Sequence, residues 1–164
     1  MRSRRGILAL GAFGGLALAA SPRAFAADGC RNTDAVGAAV LDKYVAAMNA
    51  RDTSTFPEIF TESYIQHSGR SPSGLAPMID LFKKIFAALP DRQVTVEDRI
   101  ITGDKVVARC ANTATHNQVF RGVPPTGKRF TIHTIDIWRV ENGKFAEHWD
   151  LTDATDVLRT LRPG

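Results

Sequence analysis

Between Gly122 and Asp150 the chain reads GVPPTGKRFTIHTIDIWRVENGKFAEHWD, and no other segment restricts the fold as strongly. β-branched and aromatic residues run from Phe130 to Val140, Glu141-Asn142-Gly143 supplies a turn, and a second run ends at Asp150, the signature of a β-hairpin. Ionisable residues recur in it with a period of two. Because alternate strand residues point to opposite faces, register decides which of them meet. With Asn142-Gly143 as a two-residue turn, Asp136 would oppose Trp149, and Asp136 and Asp150 would lie on opposite faces. With Glu141-Asn142-Gly143 as a three-residue loop and Gly143 in a bulge position, Val140 pairs Lys144, Asp136 pairs His148 and Thr134 pairs Asp150. The second register is the expected one. It gathers Ile132, Thr134, Asp136, Trp138, Ala146, His148 and Asp150 on one face and leaves His133, Ile135, Ile137, Arg139, Phe145, Glu147 and Trp149 on the other. Burial of an unpaired carboxylate costs several kcal/mol, so a contact between Asp136 and His148 is the cheaper arrangement.

The N-terminus has the form of an export signal. Arg2, Arg4 and Arg5 precede a Gly/Ala-diluted apolar stretch from Ile7 to Ala20, and Ala24-Phe25-Ala26 supplies an A-x-A site, with cleavage expected after Ala26. The Ser3 to Leu8 segment resembles the twin-arginine type, with Ile7 where Phe is usual and Ala9 where Lys is often found. The apolar run is short for a membrane span, and no stable membrane insertion is expected after cleavage. Residues 1–26 hold four of the chain's 21 Lys and Arg residues and none of its 17 acids, so residues 27–164 carry 17 of each. That balance removes the electrostatic basis for a nucleic-acid or anionic-membrane partner. Residues 27–164 suffice for one domain with a real core. Cys30 and Cys110 would meet an oxidising compartment after export, although a bridge between a loose N-terminal segment and a strand is not favoured.

Along the remainder, Val36, Val40, Tyr44, Val45 and Met48 recur at helical spacing behind an Asn32/Thr33 cap, for a helix ending near Arg51. A short helical piece is expected over Thr53 to Phe60 and an extended segment over Tyr64 to His67. A second strong helix carries Met78, Ile79, Leu81, Phe82, Ile85 and Phe86, and stops at Leu89-Pro90. Only strands follow: Gln93 to Ile101, Val106 to Phe120 and the hairpin, before a tail from Leu151 to Leu161 that has the makings of a short helix. Helices first and a long antiparallel run afterwards indicate an α+β domain, a cone in which N-terminal helices cover one face of a strongly curved, mainly antiparallel sheet and enclose a pocket.

Glu62-Ser-Tyr-Ile-Gln-His67, Ala88-Leu-Pro-Asp91, Thr95-Val-Glu-Asp98, Gly103-Asp104, Thr115-His116, Gly122 to Gly127, Ile135-Asp-Ile-Trp-Arg-Val140 and Gly143 with His148-Trp149-Asp150 together resemble the SnoaL-like polyketide cyclases, within the nuclear-transport-factor-2-like superfamily. The resemblance covers nearly all of residues 27–164. It implies a cone-shaped α+β fold and an intramolecular aldol-type closure without metal or cofactor. It further implies that an aspartate of the last strand, here Asp150, is the general acid/base. The histidine that accompanies it in those enzymes is replaced by Asp136, and an asparagine near the cavity mouth corresponds to Gln66.

Asp150 is the principal catalytic candidate, since a desolvated aspartate becomes a usable base for a proton next to a carbonyl. His148 and Asp136 form the proposed tuning pair. Gln66 and His67 are placed at the entrance, with His116, Thr134 and Trp138 along the wall, and the ligand is expected to be a small hydrophobic or carbonyl-containing molecule. No metal is expected, because His67, His116, His148 and the aspartates lack a close His pair or a Cys/His motif. Neither a phosphate loop nor a Gly-x-Ser-x-Gly elbow occurs. A non-catalytic, exported ligand-binding domain is the alternative reading. The apolar content of the face bearing Ile135, Ile137, Phe145 and Trp149 points to a homodimer.

Overall fold

The computed structural model describes residues 27–161, apart from 70, 120, 121 and 154 and from the side chains of 27–32, 156, 158 and 160. The expected export signal lies outside the described residues. The elements run α1 (Ala27–Ala50), α2 (Phe56–Ile59), β1 (Phe60–Gln66), α3 (Leu75–Ala88), β2 (Gln93–Thr102), β3 (Lys105–Thr115), β4 (Arg129–Glu141), β5 (Lys144–Asp153) and α4 (Thr155–Leu161). They form an α+β domain, with helices packed against a five-stranded sheet of order β1-β5-β4-β3-β2.

The sheet is mixed. β1 runs parallel to β5, and the other three pairings are antiparallel. The parallel pairing exists because α3 and the whole antiparallel meander intervene between β1 and β5, which allows the chain to return along β1 in the same direction. α1 begins at Ala27 and runs through the expected Asn32/Thr33 cap. Its Gly37 lets the helix lie close on the sheet, since a Cβ there would stand 2.8 Å from Ile101 Cγ2 and 3.0 Å from Val106 Cγ2. β3 ends at Thr115, short of the expected Phe120.

The β4–β5 hairpin departs from both anticipated registers. Its turn is the two-residue Asn142-Gly143 with Glu141 opposite Lys144, and φ is 51° at Asn142 and 75° at Gly143, as a type I′ turn demands. Between Val140↔Phe145 and Arg139↔Glu147 one residue, Ala146, has no partner. This bulge advances the pairing, so Asp136 opposes Asp150, Trp138 opposes His148 and Thr134 opposes Thr152. The expected pairs Asp136–His148 and Thr134–Asp150 are therefore corrected, yet the division into faces survives on both sides of the bulge except at Phe145. Phe145 turns inward and is fully buried beside the buried Ala146. Burying two consecutive apolar side chains is the physical reason for the bulge, since a regular strand would expose one of them.

Two apolar clusters result. The larger joins Leu41, Met48, Phe56, Phe60, Tyr64, Trp138 and Phe145 between the helices and the sheet. The smaller gathers Leu89, Ala114, Val123, Phe130, Ile132 and Leu161 at the other end. Between them the concave face of the sheet carries polar side chains.

Candidate functional site

A cleft with two lobes opens over that polar strip. The inner lobe, about 130 Å³, is walled by Tyr44, Phe60, Tyr64, Met78, Cys110 and Trp138. The outer lobe, about 420 Å³, is walled mainly by Leu81, Phe82, Ile85, Leu89, Ala114, Phe130 and Ile132. Ser71, Phe82, Arg92, Asn112, Thr134 and Asp150 line both, so a polar belt marks the junction. The size and the apolar lining suit one small organic molecule oriented by a few polar groups.

At the inner end of the belt a hydrogen-bonded chain is built from three strands, β1, β4 and β5, and the loop after β1. Ser68 N–H donates to Gln66 Oε1 at 3.1 Å, which leaves the amide nitrogen of Gln66 to donate to His148 Nδ1 at 2.8 Å. His148 Nδ1 is thus the acceptor and Nε2 holds the proton, donated to Asp136 Oδ1 at 3.0 Å. Thr134 Oγ1 donates to Asp136 Oδ2 at 2.6 Å. Asp136 is therefore buried with both oxygens engaged, as a charge in an apolar wall requires. The Trp138 ring stacks on the His148 imidazole at 4.9 Å and 7°, fixing its plane.

The negative charge of Asp136 acts on its surroundings. Burial first, and Asp136 second, push the Cys110 thiol up to about 12 and hold the Tyr44 hydroxyl well above the usual phenol range. Burial also raises Tyr64, with Tyr44 the next cause. All three groups keep their protons, and Cys110 is a free, buried thiol.

Asp150 stands opposite Asp136 on the neighbouring strand and faces both lobes, accepting from Thr152 Oγ1 at 2.9 Å. Two residues of the expected site lie elsewhere. His67 sits on the outer side of the sheet, with Nε2 2.9 Å from Glu147 Oε2 and its ring stacked at 4.4 Å on Trp149, because β1 pairs in parallel with β5 and turns His67 toward that face. His116 is fully buried behind the cleft. Its Nδ1 lies 3.0 Å from Thr126 Oγ1, while its backbone carbonyl accepts from Thr126 and Gly127 N–H, so it organises the loop before β4. Neither lines the cleft. Gln66, Thr134, Asp136, Trp138, His148 and Asp150 do.

Sequence reasoning gave Arg92, Tyr44 and Tyr64 no place in the site. Tyr44 reads as part of the apolar face of the first helix and Tyr64 as the start of an extended segment, and nothing separates Arg92 in sequence from the other arginines. Among the described residues no group of three or more His, Cys, Asp or Glu side chains is placed to hold a metal ion.

No curated protein matches the chain in sequence. Among solved structures, TsrD of Streptomyces laurentii is 28% identical, with 77% of this chain and 95% of that one covered and a TM-score of 0.72. AclR of Streptomyces galilaeus, a proposed hydroxylase, is 32% identical over 78% of this chain and 96% of its own, at a TM-score of 0.70. IdmH of Streptomyces antibioticus, a proposed polyketide cyclase, is 30% identical over 76% and 97%, at 0.68. Residues 38–161 match the model of the SnoaL-like polyketide cyclases, and the chain belongs to that family.

Proposed function

We propose that the protein is a cofactor-independent enzyme of cyclase or isomerase type, in which Asp150 removes a proton next to a carbonyl of a small, largely apolar substrate and returns it to the product. The observation that carries this reading is the position of Asp150 at the junction of the two lobes, opposite an Asp136 whose oxygens are already taken by His148 and Thr134. Of the two carboxylates, Asp150 is the one facing the larger apolar lobe, where a substrate carbon can approach it. His148 is a positioning residue, held as the Nε2–H tautomer between Gln66 and Asp136. The polyketide relatives support a carbonyl-rich substrate. Incubating the protein with small ketones and β-diketones in deuterium oxide tests the reading by NMR. Exchange of the α-protons above the buffer rate supports it, while binding without exchange or turnover points to a non-catalytic ligand-binding domain.

We further propose that the chain is exported, with a mature N-terminus at Ala27. The support is the Arg4-Arg5 pair, the short apolar run and the Ala24-Phe25-Ala26 site. Mass spectrometry of the protein recovered outside the cytoplasm is expected to give that N-terminus, and an intact Met1 would refute it. A homodimer through the outer face of the sheet is the expected assembly. Phe145 is not part of that face, but Ile65, Ile135, Ile137 and Leu151 are exposed. Light scattering at micromolar concentration and above is expected to give twice the chain mass, and a monomer there would reject the interface.

A further inference from the structure

Arg92 is the one Lys or Arg among the described residues lining the cleft, and it lines both lobes. Its backbone is pinned: its N–H donates to Leu89 O at 3.1 Å, and its carbonyl accepts from Arg51 Nη1 at 3.3 Å. The preceding residue is tied down as well, with the Asp91 carboxylate accepting from Thr115 N–H at 2.9 Å and Oγ1 at 2.6 Å. The guanidinium donates to Asn112 Oδ1 at 2.6 Å and makes a long contact with Met48 Sδ at 3.6 Å. Among the described residues no carboxylate lies within ion-pair distance of it. Asn112 and Thr134 stand between Arg92 and Asp136, for Asn112 Nδ2 lies 3.4 Å from Thr134 Oγ1, which donates to Asp136. The cleft therefore holds a half-buried cation apart from its buried anion, with guanidinium N–H groups left over for an oxygen acceptor.

We propose that Arg92 binds the carbonyl oxygen of the substrate and stabilises the oxyanion that forms there. The inference rests on Asp150 as the proton acceptor. Electron flow supports the assignment. The α-carbon gives its proton to the Asp150 carboxylate, the C–H pair becomes the C=C bond of the enolate, and the carbonyl π pair moves to oxygen. Negative charge thus leaves Asp150 and appears at the substrate oxygen, with the total in the cleft unchanged. An oxyanion created by proton transfer to Asp150 appears only after one carboxylate of the cleft has been neutralised, and the Arg92 guanidinium offers it charge-assisted hydrogen bonds.

The test uses para-nitrophenol as an enolate mimic and para-nitroanisole as its neutral ether, in buffer acidic enough to keep the free phenol protonated. The wild-type protein is expected to bind both and to raise the yellow phenolate absorbance of the phenol. Arg92→Gln should lose that absorbance and bind the phenol roughly 10–100-fold more weakly, with the ether affected by no more than about twofold. Arg92→Lys should retain part of the signal, since it keeps the charge without the fork. Arg92→Gln with wild-type phenolate signal and affinity would overturn the proposal while leaving Asp150 untouched. Equal loss of both probes would mark Arg92 as structural and overturn it too. A wild-type protein that binds neither probe would remove the cleft as a ligand site, and the Asp150 reading with it.

Discussion

Asp150→Asn is expected to lower turnover roughly 10²–10⁴-fold, the usual contribution of a positioned acid/base, while leaving the fold and the affinity for a neutral ligand nearly unchanged. The side chain lies at the cleft junction, so its removal touches the reacting atoms and not the core. Asn retains an oxygen to accept from Thr152 Oγ1, which preserves the observed hydrogen bond. Loss of the charge also removes the like-charge opposition to Asp136 across the two strands. Turnover is measured on any ketone found to exchange its α-protons, with thermal denaturation as the control. Undiminished turnover in a folded Asp150→Asn variant would end the assignment of this residue, whatever the substrate.

Trp138→Ala should be the most destabilising of the single changes around the site, by about 3–5 kcal/mol, as for other buried Trp truncations. Trp138 is 1% exposed, stacks at 4.7 Å on Phe145 and lies 5.4 Å from Tyr44, so its loss opens a cavity in the larger cluster. For a domain of this size the melting temperature should drop by roughly 10–20 °C. The same change frees the His148 ring from its stacking partner and loosens the hydrogen bond to Asp136. Urea denaturation decides the matter: a loss below about 1 kcal/mol would mean that the hairpin floor is not the packing centre of the larger cluster.

Much of the scaffold was legible because it depends on local pattern. The 3.6-residue spacing of Val40, Tyr44 and Met48 and the Leu89-Pro90 stop describe α1 and the end of α3, and the alternation of Val106, Ala108, Cys110, Asn112 and Ala114 describes which face of β3 is covered. The hairpin placed Thr134, Asp136, Trp138, His148 and Asp150 on one face for the same reason: alternation survives any register change of even step.

The pairing itself was not local. The Asn142-Gly143 turn prefers positive φ at both residues, and taken alone it would have put Asp136 and Asp150 on opposite faces. Only the apolar core, by drawing in both Phe145 and Ala146, inserts the bulge that restores them to one face and sets them opposite each other. His67 and His116 were misplaced because their orientation depends on long-range partners. A parallel pairing between β1 and β5 turns the first outward, and a loop closing on its carbonyl buries the second. Arg92 belongs to the same class, since a guanidinium on a turn after α3 becomes a cleft residue only when β3 brings Asn112 beneath it. Residue type and spacing thus determined the helices, the strand faces and the group of polar side chains that share one of them. Tertiary packing decided which of those side chains touch, because contact across a sheet is fixed by the burial of residues far apart in the chain.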